Sequence, residues 1–241
     1  MKKIKRIAAV AAGLALVATL AACSGLKSLD VVGQQSIASF DAVLKTIPGS
    51  VKADELNAGW ALTAPDDSVR FIWSDDYSKS PLHDVMLEFD AQPFLDAGLD
   101  PEKLPDNYAF YEGDAMGVKM LMVGTKLGGN DKVSGTSTAL SAYELIVNQY
   151  RDTINYHTSL DHYGVKLGDG NMFEWAKDMK TNSYDDSVQD KDIVFVLNPE
   201  PLIAAGVDPA LLKGWAYASV SVEVDGKPVD VMKFLKPFDL A

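Results

Sequence analysis

The spacing of hydrophobic residues changes from helical to extended twice along the chain, in the same order each time. Apolar residues at helical spacing predict a first helix over Gln35–Ile47 and a second, longer helix over Thr138–Tyr163. Continuous apolar and β-branched runs after each helix predict the strands Phe71–Trp73, Val85–Phe89, Tyr108–Tyr111 and Val118–Val123 in the first half, and Phe173–Trp175, Ile193–Leu197, Trp215–Val224 and Val229–Phe234 in the second. The pattern in each half therefore predicts a helix packed on an antiparallel sheet. The Asp225-Gly226 pair predicts a tight turn in the last hairpin.

The two series are also related in sequence. Asp84–Leu104 and Asp192–Leu212 align without a gap, and seven of their 21 positions are identical. Both segments contain the element Pro-x-x-x-Ala-Gly-x-Asp-Pro. Its first proline suits the first turn of a short helix, its glycine suits a left-handed cap, and Asp-Pro starts a new turn. The sequence therefore predicts a tandem duplication.

Together these patterns predict an α+β fold. Two similar units of about 100 residues, related by a pseudo-twofold axis, are expected to pack as one globule. The predicted divisions are a lipoprotein signal peptide (1–22), a lipid anchor and tether (23–34), a first repeat unit (35–128), a linker (129–137) and a second repeat unit (138–241).

The start of the chain has the pattern of an export signal. Basic residues up to Arg6 precede a small and apolar run, Ile7–Leu20, which is short for a bilayer span of about 20 residues. The run ends in Leu20-Ala21-Ala22-Cys23, which resembles the lipobox of bacterial lipoproteins. In that family the cysteine is joined to diacylglycerol and becomes the first residue after cleavage. The resemblance therefore implies lipidation at Cys23, with palmitate among the acyl chains.

The same resemblance implies a place in the cell envelope, outside the cytoplasm. Ser24 is not the aspartate that retains lipoproteins at the inner membrane, so we expect the outer membrane in a Gram-negative host. In a host with one membrane we expect its outer face. Cys23 is the only cysteine, so its acylation would exclude disulfides, cysteine nucleophiles and thiolate metal sites.

Charge narrows the range of partners. The net charge is −12, and removal of the signal peptide with its four basic residues makes it −16. A surface this acidic repels phosphate backbones, which argues against nucleic acid. The expected partners are the membrane, through the lipid, and an unknown small molecule or envelope protein.

A group of histidines and carboxylates in the second half is the best candidate for chemistry. His157, Asp161 and His162 lie near the end of the predicted long helix, and Glu174 would supply a fourth ligand to zinc. His157 and Asp161 are four residues apart and share a helical face, whereas His162 points elsewhere. The apolar stripe that runs into His157 gives a second interpretation, a histidine of the hydrophobic core.

Aromatic residues suggest another kind of site. If the protein binds an organic ligand, we expect the site at the junction of the two units, at Tyr156, His157, His162 and Trp175. Trp175 has a counterpart, Trp73, in the first unit, and this recurrence favours a core position for both.

Other chemistry is weakly supported. The sequence contains no Gly-x-Ser-x-Gly, no His-Glu-x-x-His, no phosphate-binding loop and no Asp-x-Asp-x-Asp-Gly loop. The acidic loops at Asp75-Asp76 and Asp185-Asp186 have the oxygen donors that calcium prefers, although a solvated loop is also the ordinary place for a carboxylate.

These signals predict an envelope-anchored lipoprotein that acts as a non-enzymatic binding or interaction module. Two alternatives stay open. One is a metal-assisted envelope hydrolase that uses His157 and His162, and the other is an accessory subunit of an envelope complex. No cofactor is predicted, and zinc and calcium stay as candidate metals.

Overall fold

A computed structural model describes residues 31–76, 83–112, 118–125, 127, 138–157, 161–177 and 191–239. The predicted signal peptide, the lipidation site Cys23, the linker 129–137 and the Asp185-Asp186 pair lie outside the described residues. No helix in the described ranges is long and apolar enough to cross a membrane.

The described residues form two series of helices and strands. The first series is α1 (Val31–Thr46), β1 (Val51–Asp54), β2 (Gly59–Thr63), β3 (Val69–Ser74), β4 (Val85–Asp90), α2 (Gln92–Asp96), β5 (Tyr108–Glu112) and β6 (Lys119–Thr125). The second is α3 (Ala139–Gln149), β7 (Ile154–His157), β8 (His162–Gly168), β9 (Asn171–Ala176), β10 (Ile193–Leu197), α4 (Pro199–Ala204), β11 (Ala216–Val224) and β12 (Lys227–Phe238). Short 3-10 turns precede β1 and β7, and another follows α2.

Each series makes one six-stranded antiparallel sheet. The first sheet has the order β1-β2-β3-β4-β6-β5, and the second has the order β11-β12-β10-β9-β8-β7. When the second sheet is followed from its β7 edge, its strands come in the same order as those of the first. The predicted α+β class is therefore confirmed, with two antiparallel sheets and a few helices.

The inner faces of the two sheets share one core. Phe71 and Trp73 on β3 and Phe173 and Trp175 on β9 are fully buried. The rings of Phe71 and Phe173 stack across the interface, with centroids 4.2 Å apart and planes 8° from parallel. Because side chains alternate along a strand, the residues between these aromatics face away from the core. Trp73 and Trp175 thus have the core position that their recurrence predicted.

Each long helix contacts the sheet of the other half. Trp73 of the first sheet donates its indole N–H to the carbonyl of Ala139 in α3, at 3.0 Å. Trp175 of the second sheet donates to the hydroxyl of Ser39 in α1, also at 3.0 Å. The two helices meet at the hydrogen bond between the Ser36 and Tyr143 hydroxyls, at 2.6 Å. Neither half is therefore closed by its own helix alone.

The two Ala-Gly-x-Asp segments contact each other through their backbones. Asp100 donates its N–H to the carbonyl of Ala205, and Asp208 donates to the carbonyl of Ala97, both at 2.8 Å. Gly98 and Gly206 have φ values of +101° and +109°, which confirms the predicted left-handed caps. A Cβ on either glycine would lie within 2.8 Å of the other glycine's carbonyl oxygen. Glycine is thus required here for both conformation and space.

The predicted helix over Thr138–Tyr163 is wrong. Helix α3 ends at Gln149, a 3-10 turn covers Arg151–Thr153, and the chain continues as the β7–β8 hairpin. The β-branched and aromatic residues of this stretch also fit an alternating pattern, and such residues pack well on a half-buried strand. Gly164 lies within β8 rather than at a helix end.

Several boundaries also differ from the sequence prediction. The capping box of α3 joins Thr138 and Ser141, three residues before the predicted pair of Ser141 and Glu144. Helix α1 begins at Val31, inside the predicted tether, and neither the edge strand β1 nor its neighbour β2 was predicted. The turn at Asp225-Gly226 is confirmed, with φ values of +52° and +74° that suit a type I′ hairpin.

Candidate functional site

The β7–β8 hairpin places two histidines side by side on the outer face of the second sheet. His157 on β7 pairs directly with His162 on β8. Glu174 on the next strand, β9, lies between the inward-facing Phe173 and Trp175 and therefore faces outward as well. Strand alternation thus gathers three polar side chains on one surface.

We call these residues the His157–Glu174–His162 cluster. Nδ1 of His157 lies 2.8 Å from Oε1 of Glu174, and Nδ1 of His162 lies 3.9 Å from Oε2. The side chains are 12% exposed in His157, 2% in His162 and 3% in Glu174. Neither Nδ1 atom has hydrogen-bond geometry, so the short contact is an ion pair without a well-directed hydrogen bond. Two buried polar side chains, His162 and Glu174, and the partly buried His157 therefore depend mainly on one another.

The electrostatics of the cluster favour opposite charges. Burial alone would lower the pKa of His157, but the adjacent Glu174 carboxylate outweighs burial and places this pKa above its ordinary value. Burial alone would raise the pKa of Glu174, and the imidazoles of His157 and His162 hold it below its ordinary value instead. A negatively charged Glu174 beside a protonated His157 is the arrangement that these shifts support.

Gly164 makes room for this arrangement. It pairs directly with Glu174 across β8 and β9. A Cβ at Gly164 would lie 2.6 Å from Sδ of Met172 and 3.2 Å from Cγ of Glu174. The missing side chain allows both neighbours on β9 to lie over β8, and the Glu174 carboxylate then reaches the histidines.

The other predicted site residues lie elsewhere. Asp161 accepts a hydrogen bond from the Tyr156 hydroxyl and lies 3.5 Å from Nζ of Lys177 on the surface. Tyr156 lies on the inner face of β7, where its ring contacts that of Tyr163. Trp175 is fully buried in the core, on the face of β9 opposite to Glu174. The structure thus brings together His157, His162 and Glu174 but not Asp161, Tyr156 or Trp175.

The metal expectations have little geometric support. Across the described residues, no group of three or more His, Cys, Asp or Glu side chains is arranged to hold a metal ion. The His157–Glu174–His162 cluster does contain two imidazoles and a carboxylate, which are zinc-type donors. Of the predicted calcium loop, Asp76 is buried rather than solvated.

The first half has different residues at the three matching positions. Matching the strand registers through Phe71 and Phe173 places Asp54 where the second half has His157. Gly59 and Ile72 likewise correspond to His162 and Glu174. Ile72 belongs to an apolar cluster on the outer face of the first sheet, with Ala61, Met86 and Met122. The position of Glu174 is therefore apolar in the first half, and the position of His157 holds a carboxylate instead of an imidazole.

Polar residues of the first outer face form a separate network. Arg70 contacts the carboxylates of Asp54, at 2.5 Å, and Glu88, at 3.2 Å. Glu88 also accepts a hydrogen bond from the Tyr111 hydroxyl. Every charge in this network has an opposite charge beside it, which indicates a structural ion-pair network.

A second candidate surface is the end of the last hairpin. Strand β12 pairs with β10 only through residues 234–238, whereas β11 and β12 remain paired with each other from Lys227 onward. We call residues 218–233 the β11–β12 arm. Five valines of the arm share one face, since Val220 pairs with Val231, Val222 pairs with Val229, and side chains alternate: Val220, Val222, Val224, Val229 and Val231.

This valine face extends the apolar outer face of the second sheet. Ala216, Ala218 and Val220 pack beside the buried outer residues Val194, Val196 and Leu235. Further along the arm, Val224 is 49% exposed and Val229 is 42% exposed. Sequence analysis predicted both strands but not this surface, although the alternation of valine with polar residues in Ser219–Val224 was a usable signal.

Neither the cluster nor the arm is explained by a known relative. No family model, no curated protein and no solved structure matches this chain.

Proposed function

We propose that this protein is a lipid-anchored lipoprotein of the cell envelope and acts as a non-enzymatic interaction module. The lipobox-like segment ending at Cys23 supports the anchor and the location outside the cytoplasm. The observation that carries the interaction role is the valine face of the β11–β12 arm. The partner class is an envelope protein, rather than nucleic acid or a soluble cofactor.

The scaffold of this module is a tandem duplication with a pseudo-twofold axis. Three features support the duplication: the shared Pro-x-x-x-Ala-Gly-x-Asp-Pro element, the equal strand order of the two sheets and the reciprocal bonds between the Ala-Gly-x-Asp segments. A duplicated scaffold frees one copy to diverge. The arm and the His157–Glu174–His162 cluster are features of the second copy.

The arm has the properties of a surface that binds another protein. A two-stranded hairpin is marginally stable alone, and an apolar face on it gains stability when something covers that face. The chain is acidic overall, whereas the valines form an apolar stripe that Lys227 continues at the tip of the arm. Non-polar contact, with this lysine at its border, would then select the partner.

Site-specific photo-cross-linking in the producing bacterium tests the interaction role. A photoreactive residue is placed at Val229 on the arm of the full chain, and a matched one at Leu56, which is 80% exposed in the first half. We expect protein adducts from Val229 and none from Leu56. Absence of adducts at Val229, or equal labelling at both positions, contradicts the proposal. An adduct that copurifies in fixed ratio would identify the protein as a subunit of an envelope complex.

The anchor has its own test. Replacement Cys23→Ala should abolish incorporation of labelled palmitate and move the protein from the detergent phase to the aqueous phase on phase separation. Ser24→Ala is the matched control and should keep both properties. Label in the Cys23→Ala variant would disprove lipidation at this cysteine.

Metal-assisted hydrolysis is the second candidate function, supported by the two imidazoles that flank Glu174. Native mass spectrometry of the protein from its own envelope tests it. Bound zinc that is lost in His157→Ala and retained in Asp161→Ala would support a metal centre. A mass equal to that of the acylated chain alone would count against both zinc and an organic ligand.

A further inference from the structure

The four sheet edges of the described fold are not alike. The outermost strands β1, β5 and β7 contain four or five residues each. Strand β11 contains nine residues, Ala216–Val224, and has no neighbour on its outer side among the described strands. An edge strand presents unpaired backbone N–H and C=O groups, so a long one is a template for another strand.

The number of charged residues also distinguishes β11 from the two edge strands of the first sheet. Strand β1 contains Lys52 and Asp54, and β5 contains Glu112. Charged residues on short edges are the usual protection against strand pairing. The nine residues of β11 contain one charged residue, Glu223, and neither proline nor glycine. This edge is therefore less protected than β1 and β5, whereas β7, which also has no Asp, Glu, Lys or Arg, is only four residues long.

The sequence of β11 is complementary to itself. If two copies pair antiparallel about Val220, Ser219 faces Ser221, Ala218 faces Val222, and the valine faces of the two arms become continuous. Position 217 then pairs with position 223, so the one acidic position of the strand does not pair with itself. A contact in which the same patch serves both partners closes with twofold symmetry.

We infer that two copies of this protein pair through their β11 strands, joining their second sheets into one twelve-stranded sheet. The inference deepens the proposed function, on which it rests, by naming a second copy of the chain as the partner of the arm. Anchoring of both copies in one membrane favours the encounter, because a tether raises the effective concentration of the two arms.

Cysteine cross-linking tests the register. The full-length lipoprotein in its own membrane has no cysteine besides Cys23, so an introduced thiol is unique once Cys23 is acylated. Val220→Cys should form a disulfide dimer by itself, since opposite strand positions lie within disulfide range. Ser219→Cys and Ser221→Cys should cross-link mainly when they are coexpressed. Phe110→Cys on β5, the matching edge of the first half, is the control and should stay monomeric.

A charge exchange tests the same contact without oxidation. Val220→Lys places two like charges opposite each other and should weaken association about tenfold, and Val220→Glu should do the same. Coexpression of the two variants should restore the dimer as a mixed pair. Circular dichroism of each variant would confirm that its fold is kept.

The outcomes separate this inference from the proposed function. Disulfide dimers at Val220 and rescue by mixed charges support self-pairing. A monomer in every variant, combined with adducts of a different protein at Val229, overturns self-pairing and leaves the interaction role standing. A monomer without any adduct at the arm overturns both.

Discussion

The outer faces of the two sheets differ at the same three positions. The first half has Asp54, Gly59 and Ile72 where the second half has His157, His162 and Glu174. Both sheets nevertheless have the same strand order and share one core. The fold therefore does not require a buried histidine and glutamate at this place. The residues common to both halves build the architecture, and the residues found in one half are where a special role is to be sought.

The largest expected effect comes from the segment that both halves share. Gly98→Ala and Gly206→Ala should each lower the free energy of unfolding by about 3 kcal/mol or more, because the new methyl group strains a positive φ and overlaps a backbone carbonyl. Chemical denaturation measures the change. If the halves are equivalent, the two variants should lose similar amounts.

Substitutions at two other glycines separate the cost of a positive φ from the cost of steric overlap. Gly226 has a φ of +74° but nothing within 4 Å of an added Cβ, so Gly226→Ala should cost only about 1 kcal/mol. Gly49 also has free space and no positive φ, so Gly49→Ala should be close to neutral. A cost for Gly98→Ala no larger than that for Gly226→Ala would disprove the tight contact between the halves.

The next largest effect is expected at the contacts that each long helix makes with the sheet of the other half. Trp73→Phe and Trp175→Phe should each cost about 2 kcal/mol, since each removes a buried indole N–H and leaves its acceptor in the opposite helix without that hydrogen bond. Thermal denaturation of the two variants provides the measurement. Trp60→Phe, at a half-buried position, is the control. A large loss in one variant only would show that the helices are not held in a reciprocal way.

Glu174→Gln tests the feature that the first half lacks. Without the carboxylate, the pKa of His157 should fall below its ordinary value of 6.5, because burial and the positive charge of Lys166 then act unopposed. NMR titration of the imidazole measures this pKa. His162→Asn keeps Glu174 and should leave the pKa of His157 above 6.5. An unchanged pKa in Glu174→Gln would show that the ion pair is absent.

The same substitution should change stability in a defined pH window. The raised pKa of His157 contributes stability below pH 6.5 that is lost as the pH rises through the folded value. The lowered pKa of Glu174 contributes stability above pH 4.5 that is lost as the pH falls through its folded value. The difference between the original protein and Glu174→Gln should therefore be greatest between pH 4.5 and 6.5, at about 1–2 kcal/mol.

The smallest effect is expected on the arm. Val229→Thr should change the free energy of unfolding by about 0.5 kcal/mol or less, because this valine supports no core. Val196→Thr, the same substitution at a buried outer position, should cost about 1–2 kcal/mol. A large loss from Val229→Thr would mean that the valine face stabilises the fold itself.

Sequence reasoning predicted the core better than the site. The runs at Val85–Phe89 and Ile193–Leu197 are buried on both faces, so their strands were recognisable without a structure. The stretch around His157 fits both a helical and an alternating pattern, and contacts with distant strands decide between them. As a result Asp161 was grouped with His157 and His162, although it lies on the surface beside Tyr156 and Lys177. Glu174, the fourth residue of that predicted group, does lie beside both histidines.

A ribosome that has made only the first half holds a chain that cannot yet fold. The N–H of Asp100 bonds to the carbonyl of Ala205, and the carbonyl of Ala97 accepts from the N–H of Asp208. Both partners lie about 100 residues further along the chain. The ring that stacks on Phe71 and the carbonyl that accepts from Trp73 belong to Phe173 and α3, which are also made later. The unfinished chain thus exposes one side of a future core until the second half has been made. A truncation between the two halves would leave Phe71 and Trp73 uncovered.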